Sequence, residues 1–176
     1  MAYSGFISNP EYTRRGIDEE VTGKWNFKNE ITFEKVIRGT AMAAYCADIA
    51  EYYKYDFSEL IPVGSLVKFG GKEEITKTQP HDRNFFGVVS SNPAFILNEK
   101  KQKQKYLPIA LTGRVPCRIT GKIKKFSKLT ISNVHGVAKK KTLLDYILFK
   151  PTIGILLEDK PNSIEELKEI FVIAKI

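Results

Sequence analysis

This chain is poor in the residues that build reactive centres. It has two cysteines in 176 residues, Cys46 and Cys117, far apart and in no Cys-x-x-Cys pair. That removes support for a zinc site and for a disulfide framework. In a reducing compartment both read as small buried apolar side chains, with a disulfide as the lesser alternative. There is no Gly-rich phosphate loop, no metal-ligand cluster and no nucleotide fingerprint, so no cofactor and no metal is expected. No run approaches the ~20 apolar residues of a membrane span, and no membrane partner is expected. The start, Met-Ala-Tyr-Ser-Gly-Phe, lacks a basic region followed by an apolar one. Synthesis in a cytoplasm without a signal peptide is the expectation. Internal repeats are missing too.

Acidic residues are missing from one long stretch. Between Lys100 and Leu144 there are thirteen Lys or Arg and no Asp or Glu. The net charge is +8, yet the rest of the chain has fifteen basic residues against twenty acidic ones. A basic stretch of this kind reads as a solvated face or as a surface for an acidic partner. Nucleic-acid binding through residues 100–141 is the sharper alternative. Aromatic interleaving weighs against it, because only Tyr106 and Phe126 fall in the stretch, too few for a stacking platform.

What is present is β-type patterning behind a thin, polar lead. Residues 1–20 carry turn signals at Ser8-Asn9-Pro10 and Arg15-Gly16. They read as an extended arm, with Tyr3, Phe6 and Tyr12 as candidate attachment residues. Residues 21–43 hold the only Trp. Trp25 and Phe27 alternate with polar neighbours, and Ile31 and Phe33 continue that period of two. An isolated hairpin is marginal in water. These four side chains are therefore candidate subunit contacts in a homo-oligomer. Residues 41–55, rich in Ala and Tyr, read on propensity as a short helix, or else as a tightly packed extended segment. Asp48 and Glu51 could form a carboxylate pair, but such residues are more often a solvated face or ion-pair partners.

From residue 56 onward the chain reads as short strands between turns. Strands are expected at Ser65–Phe69, Glu74–Thr78, Phe85–Ser90, Leu107–Leu111, Val115–Thr120, Leu129–Ser132, Gly136–Lys139 and Ile153–Leu157. Pro108 and Pro116 fit strand starts or edges. Residues 142–150 read as a strand or a single helical turn. Ser163 is placed to cap a helix over Ile164–Lys168, with Glu166 completing a capping box. Ile170–Lys175 reads as a last strand. His81 beside Asp82, with Ser90 or Ser91, invites a nucleophile reading, but no spacing supports one. Both His81 and His135 read as turn residues. The fold class is mainly β: a compact barrel or sandwich-like head at 44–176, carrying an extended N-terminal arm and a β junction.

Five phrases carry a resemblance. They are Ala47-Asp48-Ile49-Ala50-Glu51-Tyr52-Tyr53, Pro62 to Gly71, Gly87 to Phe95, Leu107 to Cys117, and Ile153 to Glu158. In this order they resemble a C-terminal module of tailed-bacteriophage fibre and appendage proteins. The lead from Val21 to Phe27 resembles the shaft-to-head junction of such fibres. The resemblance implies a structural subunit of a virion, usually a homotrimer with a β-rich head. It would contact other virion proteins (capsid, neck, tail or baseplate) or a host surface. Some members of that broader group are autoproteolytic chaperones, which is the enzymatic alternative. No catalytic residue carries over to this chain.

Overall fold

The computed structural model describes residues 47–98 and 103–173, together with Lys28. The expected arm, its Tyr3, Phe6 and Tyr12, and the junction residues Trp25, Phe27, Ile31 and Phe33 lie outside the described residues, as does Cys46. All the named elements fall in the unit Ala43–Ile176.

Ten strands and one short helix follow in order: β1 Asp48–Lys54, β2 Leu66–Phe69, β3 Ile75–Lys77, β4 Gly87–Val89, β5 Phe95–Leu97, β6 Tyr106–Ile119, β7 Lys128–Ile131, β8 Ala138–Lys140, α1 Leu143–Ile147, β9 Gly154–Leu156 and β10 Glu166–Val172. The architecture is mainly β and centres on a closed five-stranded barrel, not a sandwich. The C-terminal half of β6 pairs with β10, β10 with β9, β9 with β7, and β7 with β8. A parallel bridge, Ile119 to Ala138, returns β8 to β6 and closes the ring. Closure satisfies edges that an open sheet would leave exposed.

Alternation fills the barrel. Val115, Cys117 and Ile119 of β6, Leu129 and Ile131 of β7, Leu156 of β9, and Ile170 and Val172 of β10 are fully buried in one cluster. Cys117 is a free buried thiol, and burial pushes its ionisation well up. That agrees with the reading of Cys117 as a small apolar side chain.

The N-terminal half of β6 belongs to a second layer. There it pairs with β1 on one side and β4 on the other, and β4 leads on to β2 and β3. Ile61, Val67, Ile75, Val89 and Ile109 form its core, with Tyr53, Tyr55 and Phe86 packed against it. β6 is therefore one strand of 14 residues shared by both layers. The two strands read from the sequence are joined through Gly113, whose φ of +104° changes direction without ending the ladder. Pro108 and Pro116 lie inside this strand instead of at a start or edge. Pro116 is tolerated because its missing N–H falls on the side where Arg118 donates to the Gly64 carbonyl and no ladder runs.

Two helix expectations fail. Asp48–Lys54 is a strand, paired with β6 from Gly113 to Tyr106 with one register shift between Ile49 and Ala50. Alanine is a strong helix former, but Ala50 is fully buried and pairs with strands on both sides, Ile96 of β5 and Ala110 of β6. The stretch from Ser163 is likewise no capped helix. Glu166–Val172 forms seven pairs with β6, and a local cap cannot match that ladder. The residues of the expected capping box serve another end: the Ser163 carbonyl accepts from the Thr120 hydroxyl and the Gly121 N–H, and the Glu166 carboxylate accepts from the Asn162 amide. The buried Lys160 ammonium donates to the neighbouring carbonyls of Asn162 and Ile164. Between Lys140 and Gly154 the chain forms the single helical turn that was one of the two expectations.

Candidate functional site

The site with the most unusual chemistry lies where β1 begins. Asp48 opens the strand, and its side chain is only 3% exposed. The backbone around it is held on both sides. Ala47 carbonyl accepts from the Arg114 N–H at 3.0 Å, and Asp48 carbonyl accepts from the Ala94 N–H at 2.9 Å. Gly113 permits this approach. A Cβ there would press into the Ala47 carbonyl oxygen and come within 2.7 Å of the Asp48 Cα. The side chain of Ser90, itself buried, hydrogen-bonds the Asp48 carboxyl. The second carboxyl oxygen, Oδ2, is buried with no hydrogen-bond partner.

Burial pushes the Asp48 carboxyl up from its ordinary value of 3.8, partly offset by the bonds from Ser90, its own backbone and Ala94. A carboxyl so placed can hold or release a proton at higher pH than an exposed one. Beside it opens a cleft of about 230 Å³, lined by Ala47, Ser90, Ser91, Arg114 and Glu169 among others. At the rim Arg114 and Glu169 stand 3.8 Å apart.

The carboxylate pair weighed in the sequence does not form. Asp48 is buried at the start of β1, whereas Glu51 is half-buried and accepts a 2.7 Å hydrogen bond from the Tyr53 hydroxyl. That bond, after burial and together with the charge of Glu51, pushes the Tyr53 phenol up to about 12. His81 and Asp82 do not join Ser90 either. Asp82 binds Lys68 at 2.7 Å and caps the Gln79 N–H at 2.6 Å. Burial alone would raise its carboxyl, but Lys68, the Gln79 N–H and the nearby His135 hold it below the usual range. Both histidines are exposed, and His81 sits at a φ of +71°, which suits a turn.

The partner of Ser90 was thus not legible from spacing, because Asp48 lies 42 positions away and meets it only through sheet pairing. The basic stretch also acquires a shape. Lys122, Lys124 and Lys140 line an open cleft of about 690 Å³ with Asp159 and the buried Lys160. Among the described residues no group of His, Cys, Asp and Glu could hold a metal ion.

No protein-family model matches the chain, and no curated protein matches it. Solved structures share its fold, two of them from one phage protein. One is the pre-mature bacteriophage phi29 gene product 12, at 17% identity and a TM-score of 0.58 over 78% of this chain and 23% of that one. The other is the C-terminal fragment of the bacteriophage phi29 gene product 12, at 17% identity and a TM-score of 0.53, over 73% of this chain and all of the fragment. The chain thus spans about a quarter of the pre-mature protein's length, and at this identity the likeness is one of fold.

Proposed function

We propose that this chain is a structural subunit of a bacteriophage virion, a trimeric fibre, connector or decoration protein. The supporting observation is that its fold extends over the whole of a phage protein's C-terminal fragment. The five sequence phrases that resemble phage fibre modules point the same way. In this reading residues 1–20 attach the subunit to other virion proteins through Tyr3, Phe6 and Tyr12. Trp25, Phe27, Ile31 and Phe33 form the contacts between subunits, and the barrel faces a neighbouring virion protein or the host. No enzyme activity, cofactor or nucleic acid is needed. Light scattering of the purified chain tests this. The expected solution mass is three times 20.0 kDa, falling for Trp25→Ala. A monomer for both proteins would overturn the trimer.

One observation favours a second reading, self-cleavage. The Ala47–Asp48 peptide is fixed between Arg114 and Ala94, and a buried carboxyl with an unpartnered oxygen stands beside its bond. Such a carboxyl suits proton transfer to a leaving amine. The phage neighbour is known both as a pre-mature form and as a C-terminal fragment. Intact mass after long incubation decides the matter. Self-cleavage here is attack of water on the Ala47 carbonyl with release of the Asp48 amine, and it predicts two products, residues 1–47 and 48–176, abolished by Asp48→Asn; one stable full-length species rules it out.

A further inference from the structure

The turn between β8 and β9 is built inside out. β8 and β9 both flank β7, so α1 is a crossover, and a crossover helix ordinarily packs its apolar face on the sheet. Here the buried side chain is Asp145. It accepts from the Thr142 backbone and hydroxyl at 2.9 and 2.7 Å, and it faces Lys139 at 3.0 Å and Lys150 at 3.9 Å. Lys150 is buried too and donates to the Ile131 carbonyl. Lys141 ties the far end by donating to the Lys150 carbonyl at 2.7 Å. Polar groups thus anchor the turn, and the apolar ones point away.

Those apolar groups form a knob. Leu143 is 78% exposed, Leu144 62%, Ile147 63% and Phe149 79%, with Tyr146 and Leu148 also exposed. At 100° per residue Leu143, Leu144, Tyr146 and Ile147 take up the arc of the helix away from Asp145, and Leu148 and Phe149 follow beyond its end. Phe149 holds a φ of +55°, a conformation rare for a bulky side chain, and from there the chain returns to bury Lys150. A helix apolar nearly all round belongs in an apolar medium.

The knob's surroundings are basic. Residues 121–157 contain eight lysines and one acidic residue, the buried Asp145. Exposed Lys128 and Lys140 lie where the turn begins, since the Lys141 N–H bonds the Lys128 carbonyl. A second copy of the chain is the poorer charge match, because the larger described clefts set a few apolar side chains, Ile123, Tyr55 and Phe57 among them, between lysines of the same sign as those around the knob. We propose that the turn of residues 143–149 docks onto an anionic phospholipid surface, its side chains entering the headgroup boundary and the flanking lysines meeting the negative charge. A five-residue helix is about 7.5 Å long, so it lies in the interface and spans nothing. No described helix is long and apolar enough to cross a membrane.

The test is co-sedimentation of the full chain with vesicles. One set is phosphatidylcholine alone; the other is phosphatidylcholine and phosphatidylglycerol in equal parts. The protein is expected to pellet with the second set and stay in solution with the first. The double variant Leu143→Ser, Ile147→Ser is expected to bind at least about tenfold more weakly with an unchanged circular dichroism spectrum, since both residues are exposed. Phe57→Ser, at an exposed apolar residue outside the turn, should bind like the parent. Failure of the parent to pellet with either set would overturn the proposal. So would equal binding by the parent and the double variant. A fall in solution mass for the double variant without vesicles would assign the knob to a protein contact instead, and would also overturn it.

Discussion

At the scale of single residues, two carboxyls in similar burial behave in opposite ways. Asp48 and Asp145 are each 3% exposed. Asp145 has two lysines and a capping threonine around it; Asp48 has a serine, a backbone N–H and one oxygen with nothing. Burial raises both, and only at Asp145 do the neighbours win. For Asp48 the folded state therefore binds its proton more tightly than the unfolded chain does. Its contribution to stability falls as pH rises from 3.8 through its raised folded value. Asp48→Asn keeps the shape and cannot ionise. Urea unfolding is expected to show Asp48→Asn more stable than the parent near pH 7, with the gain gone below pH 3.8. A variant that is less stable than the parent at pH 7 but equal to it below pH 3.8 would show that the ionised carboxyl is held by its surroundings.

At the scale of elements, α1 depends on the polar anchor beneath it. Burial tends to raise the Asp145 carboxyl, but bonds from Thr142 and the charge of Lys139 pull it down to about 2. The stabilisation this provides is complete above the unfolded value of 3.8 and is lost as pH falls through about 2. Asp145→Ala would leave the Lys150 ammonium buried without its charge partner, which costs about 3–5 kcal/mol. Chemical unfolding at neutral pH measures this loss, and the deficit against the parent should shrink in strong acid. A cost of only a few tenths of a kcal/mol, the order of an exposed ion pair, would mean that Lys150 finds water. Pairing with β6 explains why local signals misled at residues 47–55 and 164–168. Alanine propensity and a capping box act over a few residues, whereas β1 and β10 each gain seven pairs along β6.

For the molecule as a whole, the described residues close the barrel among themselves. Its five strands close on each other between Val115 and Val172, and the described core residues come from that range, from Leu66, Phe85 and Val88, and from Ala110 of β6. A version beginning at Ala44 is expected to keep the β spectrum and cooperative unfolding of the full chain. If residues 21–43 carry the subunit contacts, light scattering of that version returns a monomer. A trimer that survives the truncation would move assembly onto the head, and α1 and the exposed β5 strand of Phe95, Ile96 and Leu97 would be the first places to look.

By itself the sequence determined the class of fold and the positions of most strands. Period-two alternation at Val115–Ile119 reflects which face is buried, and that pattern is local, as are the short apolar runs at Leu66–Phe69 and Lys128–Ile131. It also determined the uneven charge and the shortage of reactive cysteine. Only the tertiary structure decided that β6 runs unbroken through Gly113, that Ala-rich β1 is a strand, and that Asp48 meets Ser90. Each depends on partners distant in sequence, and pairing with them outweighs local preference. The apolar turn was decided there too. Residues 142–150 read in sequence as a strand or a single helical turn, and only the burial of Asp145 and Lys150 shows that the apolar side chains between them face outward.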